Sequence, residues 1–177
     1  MDTCQETYHI SLGYDCSIAY QLQKKGLRTK AFPFDWCLVP NIYSVIQDDF
    51  NQFFNFRFKN KSKNFPVIKN KWVDREMNKE TIRVVNTYGV HFVHDFLLDY
   101  DLDEIICKYK RRINRFYDIM KSNCQKKLYR LTKKKDECLE KLFYSKGFIN
   151  FDIKYIYFQD LPLCKSWKKK EVDLLSF

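Results

Sequence analysis

The sequence predicts a mixed fold of the α/β or α+β class, with helices and strands packed around one core. Three observations support this prediction. An apolar strand pattern runs directly into a helical pattern over residues 7–26, and strand and helix patterns alternate over residues 81–158. The 177 residues are 45% hydrophobic and 18% aromatic, which supplies enough apolar surface for a buried core and argues against disorder. We therefore expect residues 1–177 to form a single domain, with a basic C-terminal tail from about residue 161.

The first predicted element is a short buried strand at residues 7–12, which ends at Gly13. A helix with an apolar face follows from Cys16, and Gly26 is well suited to end it. The turn between them, "GYDC", therefore lies at the carboxyl end of a strand and at the start of a helix.

The next segment, "AFPFDWCLVP" at residues 31–40, is apolar and contains two prolines, which favours a buried loop or a short extended piece over a helix. Asn41 is a predicted N-cap for a helix whose apolar spacing continues to residue 54. Residues 57–80 are rich in lysine and asparagine and have no clear period, which indicates a variable surface excursion.

The second half alternates between strands and helices. Residues 81–96 contain two strand-like runs around "NTYG", which predicts a hairpin or a loop, and Asp101 or Asp103 can cap a helix over about residues 103–121. The remaining predicted elements are a strand at 126–132, a helix at 134–147 that ends at Gly147, a strand at 151–158 and a helix-like tail.

Composition limits the classes of function. No run of about 18 apolar residues occurs, and the polar start "MDTCQETYHI" lacks the pattern of a signal peptide. Seven cysteines at irregular spacing, without a CxxC, predict reduced thiols in a cytosol-like compartment and give no support to a metal site. No Gly-rich phosphate loop and no GxSxG is present, and we expect no cofactor. The net charge of +10 suits an acidic partner, although charge runs usually lie on solvated faces.

Cys16 is the candidate nucleophile. A thiolate attacks carbonyl carbons, and the positive end of a helix or a nearby imidazolium favours the thiolate. Asp15 opposes this effect unless its side chain caps the helix. The competing interpretation is that Cys16 simply packs in the core, as free cysteines often do.

Three histidines could supply the imidazole. His9 lies in the first predicted strand, His91 lies within a strand, and His94 lies at the end of that strand, where sites are commonly built. Asp35 and Asp95 are the candidates for a third group that orients the base, with a slight preference for Asp35 because a carboxylate inside "PFDW" needs a partner. That partner could be an imidazolium or an arginine such as Arg28.

Four blocks in order, "SLGYDCSIAYQLQKKGLR", "AFPFDW", "GVHFVHDF" and "KYKRRINRFYDIM", resemble the family DUF1796 of papain-like cysteine peptidases. The resemblance covers roughly residues 8–160. It implies a papain-like fold, with the nucleophile helix packed on a small, mainly antiparallel sheet. It also implies Cys16 as nucleophile and His94 as base, while Asp35 lies in the matching block "AFPFDW" and Asp95 lies in the same block as His94.

The chain departs from the wider papain pattern at the oxyanion hole. Ile10 stands where papain-like enzymes usually have a glutamine, so the hole would use backbone N–H groups near Cys16, or Ser11 or Tyr14. Members of the family occur in bacteria and in large DNA viruses, and a lysine- and asparagine-rich chain suits an AT-rich viral genome. We then expect a location in the host cytoplasm or in the virion.

Two functions follow. The first is a cysteine-type hydrolase or acyltransferase that acts on a protein or peptide substrate. The positive net charge of the chain would favour an acidic substrate. The second is a non-catalytic binding module of the same fold, with "KYKRRINR" and the lysine runs contacting nucleic acid.

Overall fold

The computed structural model describes residues 6–58, 82, 84–97, 99–161, 173, 175 and 176. Within them lie four α-helices and two sheets, which confirms the mixed α+β class. The helices are α1 (Ser17–Lys24), α2 (Ile42–Gln47), α3 (Leu102–Lys121) and α4 (Glu137–Ser145). The strands are β1 (Thr7–Ser11), β2 (Cys37–Leu38), β3 (Phe56–Phe58), β4 (Val84–Asn86), β5 (His91–Phe92), β6 (Gln125–Thr132) and β7 (Phe151–Tyr157).

The first sheet is parallel and has the order β1-β6-β7. Its central strand β6 is buried without interruption from Leu128 to Leu131, as expected for a parallel sheet covered on both faces. Since the three strands run in one direction, their carboxyl ends meet at one edge of the sheet. The chain leaves β1 at this edge and enters α1 through the "GYDC" turn.

The second sheet is antiparallel and has the order β2-β5-β4-β3. Strands β4 and β5 form the predicted hairpin, and the Asn86 side chain holds its turn by accepting from the N–H groups of Tyr88 at 3.1 Å and Val90 at 3.0 Å. His94 follows the end of β5 by two residues.

The expected small antiparallel sheet is therefore present, but it is not the one that α1 covers. Helix α1 packs against β1 and β6 of the parallel sheet, and its Ile18 and Leu22 lie in a cluster with Tyr129 and Leu131. The reason is topological. Parallel neighbours must be joined by a crossover, and local patterns do not reveal which distant strands become neighbours.

Helix α3 connects the two halves of the core. The Tyr109 ring lies 5.2 Å from the Phe92 ring, and the Phe116 ring lies 5.8 Å from the Phe34 ring. Asp101 caps the helix by accepting from the Glu104 N–H at 3.0 Å, which selects between the two predicted caps. None of the helices in the described part of the chain combines the length and apolar character needed to cross a membrane.

One helix prediction needs correction, and two other predictions concern segments that lie mostly outside the described residues. The helix after Asn41 ends at Gln47 rather than continuing to residue 54, because Asp49 and Phe50 have φ of +48° and +61°, which ends a helix. Most of the predicted excursion at 57–80, and the basic tail except Leu161, Asp173, Leu175 and Ser176, fall outside the described residues.

Most cysteines in the described part of the chain are free, as predicted. Cys16, Cys37, Cys107 and Cys138 are free thiols, but Cys124 is disulfide-bonded. The expectation of reduced thiols is thus wrong for Cys124, because irregular spacing in sequence does not prevent two cysteines from meeting in space.

Candidate active site

The turn that carries Cys16 is tightly constrained. Gly13 has φ of +73° and Tyr14 has φ of +94°, a conformation that is rare for a bulky residue. The Ser11 hydroxyl accepts from the Gly13 N–H at 3.1 Å, and the Val39 N–H donates to the Tyr14 carbonyl at 3.1 Å. The turn is thereby tied to the chain that leaves β2, and strain of this kind is often found at functional sites.

Cys16 is the N-cap residue of α1, and Asp15 takes over the capping bond. The Asp15 carboxylate accepts from the Ser17 N–H at 2.9 Å, so its side chain caps the helix. The Asp15 charge is thus used at the positive end of the helix. The same bond engages the Ser17 N–H, one of the backbone groups considered for an oxyanion hole.

His94 is the histidine that meets Cys16. Its Nε2 atom lies 3.3 Å from the Cys16 Sγ atom, within hydrogen-bonding range for sulfur, and both residues are partly exposed. His9 lies elsewhere, with Nδ1 at 2.9 Å from the Tyr129 hydroxyl, and His91 lies within β5. The structure therefore brings together the two residues predicted as nucleophile and base.

Asp35 does not contact His94. Its Oδ2 atom accepts from the Arg28 Nε at 2.9 Å and from the Phe32 N–H at 2.9 Å, and its Oδ1 atom has no hydrogen-bond partner. The side chain is 1% exposed, and burial raises the pKa of Asp35 while the Arg28 guanidinium opposes that shift. The predicted direct bond to the imidazole is replaced by the arginine alternative, because Arg28 is the cation that neutralises this buried charge.

Asp95 also binds groups other than His94. Its carboxylate accepts from Lys108 and, at 2.5 Å, from the Tyr109 hydroxyl. Both partners lie on α3, whereas the His94 imidazole lies against Cys16 and Trp36. The expectation that Asp95 bonds the imidazole is thus not met. Asp95 instead anchors to α3 the segment that carries His94.

A second thiol, that of Cys37, lies close enough to Cys16 for their charges to interact. Cys37 is fully buried, and its Sγ atom is 3.2 Å from the Tyr109 hydroxyl. Burial raises the pKa of the Cys37 thiol, and the charges of Asp95 and Cys16 act in the same direction. Cys37 is accordingly held neutral, which leaves Cys16 as the thiol of this pair that is suited to attack.

Arg130 was missed by the sequence analysis. It is buried in β6, and its Nη1 atom donates to the carbonyls of Leu12 and Val39, both at 2.9 Å, while its Nη2 atom donates to the Pro40 carbonyl at 3.3 Å. Burial lowers the pKa of Arg130 to about 10, so it stays charged at neutral pH. One cation thus joins the strand before the Cys16 turn to the segment after β2. The available signal was a charged residue inside the apolar run of "KKLYRLT".

The two side chains named as candidates for an oxyanion hole, Ser11 and Tyr14, have contacts within the protein. Ile10, which stands in the place of the usual glutamine, is fully buried within β1, and the Ser11 hydroxyl accepts a bond within the turn. The Tyr14 ring packs at 4.7 Å against Phe158. Among the described residues, no group of three or more His, Cys, Asp or Glu side chains has the arrangement of a metal site.

Comparison with known families matches residues 7–146 to the family described as "Putative papain-like cysteine peptidase (DUF1796)". The chain is also similar to "Uncharacterized protein R408" of Acanthamoeba polyphaga mimivirus, with 35% identity over 130 residues. That similarity covers 66% of this chain and 58% of the mimivirus protein, so the chain spans less than two thirds of that relative. No solved structure matches the chain.

Proposed function

Because the chain belongs to the DUF1796 family, whose description is that of a papain-like cysteine peptidase, we propose that it is a cysteine-type hydrolase of peptide or related acyl bonds. In this proposal Cys16 is the nucleophile and His94 is the general base and acid. The observation that carries it is the 3.3 Å separation of the Cys16 Sγ and His94 Nε2 atoms at the start of a helix.

The chemistry follows from the geometry. His94 takes the thiol proton, and the Cys16 thiolate attacks the carbonyl carbon of the substrate, so that a bond between sulfur and carbon forms. The imidazolium then gives its proton to the leaving amine as the carbon–nitrogen bond breaks. Water deprotonated by His94 attacks the thioester, which releases the acid and restores the Cys16 thiol.

The nucleic-acid alternative has less support. Three of the basic residues in "KYKRRINR" bind within the protein: Lys108 pairs with Asp95, Arg112 lies over the Tyr109 ring, and Arg115 donates to the Ala31 carbonyl at 2.8 Å. A phosphate backbone would have to compete with these contacts. If the protein does not bind single-stranded nucleic acid at about 50 mM salt, where phosphate contacts are strong, the alternative is excluded.

The proposal is tested with an activated ester, p-nitrophenyl acetate, followed by a mixture of acidic and basic peptides. We expect a burst of nitrophenolate and an acetyl group on the Cys16 peptide. Both should be lost in Cys16→Ser and slowed about 100-fold or more in His94→Ala. Cys138→Ser, which removes an exposed free thiol, is the matched control and should retain the burst.

Cleavage within the peptide mixture would assign peptidase activity, and preference for the acidic peptides would fit the net charge of +10. Acetylation spread over several thiols, with no dependence on His94, would overturn the proposal.

That residues 1–177 form one domain, and that the protein acts in the cytoplasm, remain part of the proposal.

A further inference from the structure

The side chain that meets His94 from the "PFDW" segment is Trp36. Its ring centroid lies 5.8 Å from that of the His94 imidazole, and the two planes are at 84°, an edge-to-face arrangement. Trp36 has φ of +64°, which is uncommon for a bulky residue and signals that the surrounding structure imposes its conformation. The backbone is thus held in an unfavourable state that carries the indole against the imidazole.

The other contact of Trp36 leads to a buried ion pair. The Arg28 guanidinium lies 5.9 Å from the centre of the indole ring, at the limit of cation–π range. The Arg28 Nε donates to the Asp35 Oδ2 at 2.9 Å, and the side chains are 16% and 1% exposed. Asp35 is fixed in turn by the Phe32 N–H at 2.9 Å. A continuous row of contacts therefore runs from Asp35 through Arg28 and Trp36 to His94.

We propose that Trp36 is a positioning residue for His94, and that Asp35 acts on the imidazole indirectly, through Arg28 and Trp36. This inference rests on the proposed function, in which His94 takes the proton of Cys16. A ring packed edge to face limits rotation of the imidazole and keeps its Nε2 atom directed at the Cys16 sulfur. The guanidinium, held by a buried carboxylate, keeps the indole in place.

This arrangement accounts for features that a structural role alone leaves unexplained. Asp35 is a carboxylate in an apolar segment, and its ion pair lies one residue before the left-handed Trp36. Burying a charge is costly unless it has a partner, and a left-handed bulky residue adds strain. The buried charge and the backbone strain thus both occur in the "PFDW" segment, and its Trp36 side chain contacts His94, the proposed base.

The test measures alkylation of Cys16 by iodoacetamide, by peptide mass spectrometry, at about pH 6 and about pH 8. The variants are Trp36→Leu, Trp36→Phe and Trp36→Leu combined with His94→Ala. We expect Trp36→Leu to slow Cys16 at about pH 6 by three- to tenfold, which corresponds to one aromatic contact. The effect should be smaller at about pH 8, where solvent takes the proton more readily. Trp36→Phe should keep most of the rate.

Two comparisons separate positioning from general damage. In the His94→Ala background, Trp36→Leu should cause no further loss, because the contact it removes is already gone. Tyr144→Leu, which removes an aromatic side chain packed on Phe151 in another part of the fold, should leave the rate unchanged. The urea midpoint of each variant establishes that the chain is folded.

Arg28→Lys provides a second variant. Lysine can still pair with Asp35, but it lacks the planar group that stacks on an indole, so a smaller slowing at about pH 6 is expected. The inference is overturned if Trp36→Leu has no effect, or if it slows Cys16 equally with and without His94. If His94→Ala itself leaves the rate unchanged, the proposed function fails and this inference fails with it.

Discussion

Replacing Gly13 by alanine tests whether the Cys16 turn depends on a close approach between two segments. A Cβ atom at this position would lie 2.8 Å from the Val39 Cγ2 atom, 3.0 Å from the Val39 Cβ atom and 3.6 Å from the Phe34 Cβ atom. Val39 and Phe34 are both fully buried, so neither has space to move aside. Gly13 also has φ of +73°, which disfavours any residue with a Cβ atom.

The two costs can be separated. The left-handed backbone costs an L-residue roughly 1–2 kcal/mol. Overpacking against a buried neighbour costs about 1–3 kcal/mol more. Gly26 is the matched control, because its φ is +69° but a Cβ atom there would meet nothing within 4 Å. Gly26→Ala therefore incurs only the first cost, and Gly13→Ala incurs both.

Urea unfolding of the two variants measures the difference directly. We expect Gly13→Ala to lower the free energy of unfolding by about 1–3 kcal/mol more than Gly26→Ala does. Introducing Val39→Ala removes the Cγ2 atom, so Gly13→Ala should cost less in that background than in the wild type. Equal costs for the two glycines would refute the reasoning, as would a Gly13→Ala cost that does not depend on Val39.

Three further outcomes are expected. Burial lowers the pKa of Lys126 to about 8, whereas the unfolded chain keeps this proton to about pH 10.4, so unfolding takes up a proton between these values and stability rises with pH. Relative to Lys126→Met, the wild type should gain on the order of 2 kcal/mol between pH 7 and about 9.5 in urea titrations, and no gain would contradict this. Arg130→Met leaves three carbonyls without their donor, so we expect it to lower the free energy of unfolding by about 3 kcal/mol or more and to slow the alkylation of Cys16. An unchanged free energy of unfolding would contradict the inference that Arg130 holds these two segments together. Tyr109→Phe removes the hydroxyl bonded to Asp95 and should lower the free energy of unfolding, measured in urea, by about 1–3 kcal/mol. A change near zero would contradict the inference that Asp95 anchors its segment to α3.

Local signals predicted most of the elements. A side-chain oxygen at Asn41 or Asp101 and a left-handed glycine at Gly26 or Gly147 act on the adjacent turn of helix, so their effects can be inferred from neighbouring residues. The apolar spacing after Asn41 correctly indicated burial of Phe50 but not its conformation. A backbone that turns back on itself can bury the same residues as a helix.

Interactions between distant segments could not be predicted in this way. The Cys16–His94 pair was predicted on three grounds: the residue types suit a thiol site, both residues lie at the ends of elements, and both lie in blocks that resemble the family. The sequence does not determine which cation pairs with Asp35, since an arginine and an imidazolium can each neutralise a buried carboxylate. The left-handed φ of Trp36 depends on tertiary contacts, which a single sequence does not display.

The measurement that tests the account most directly is the pH dependence of Cys16 alkylation in the wild type and in His94→Ala. Cys107 and Cys138 are exposed free thiols and serve as controls within the same chain. We predict that Cys16 reacts much faster than either control at about pH 6, well below the value of about 8.5 for a free thiol, and that His94→Ala abolishes this advantage. A Cys16 that reacts no faster than the controls, or that stays fast without His94, would contradict the proposed cysteine–histidine site.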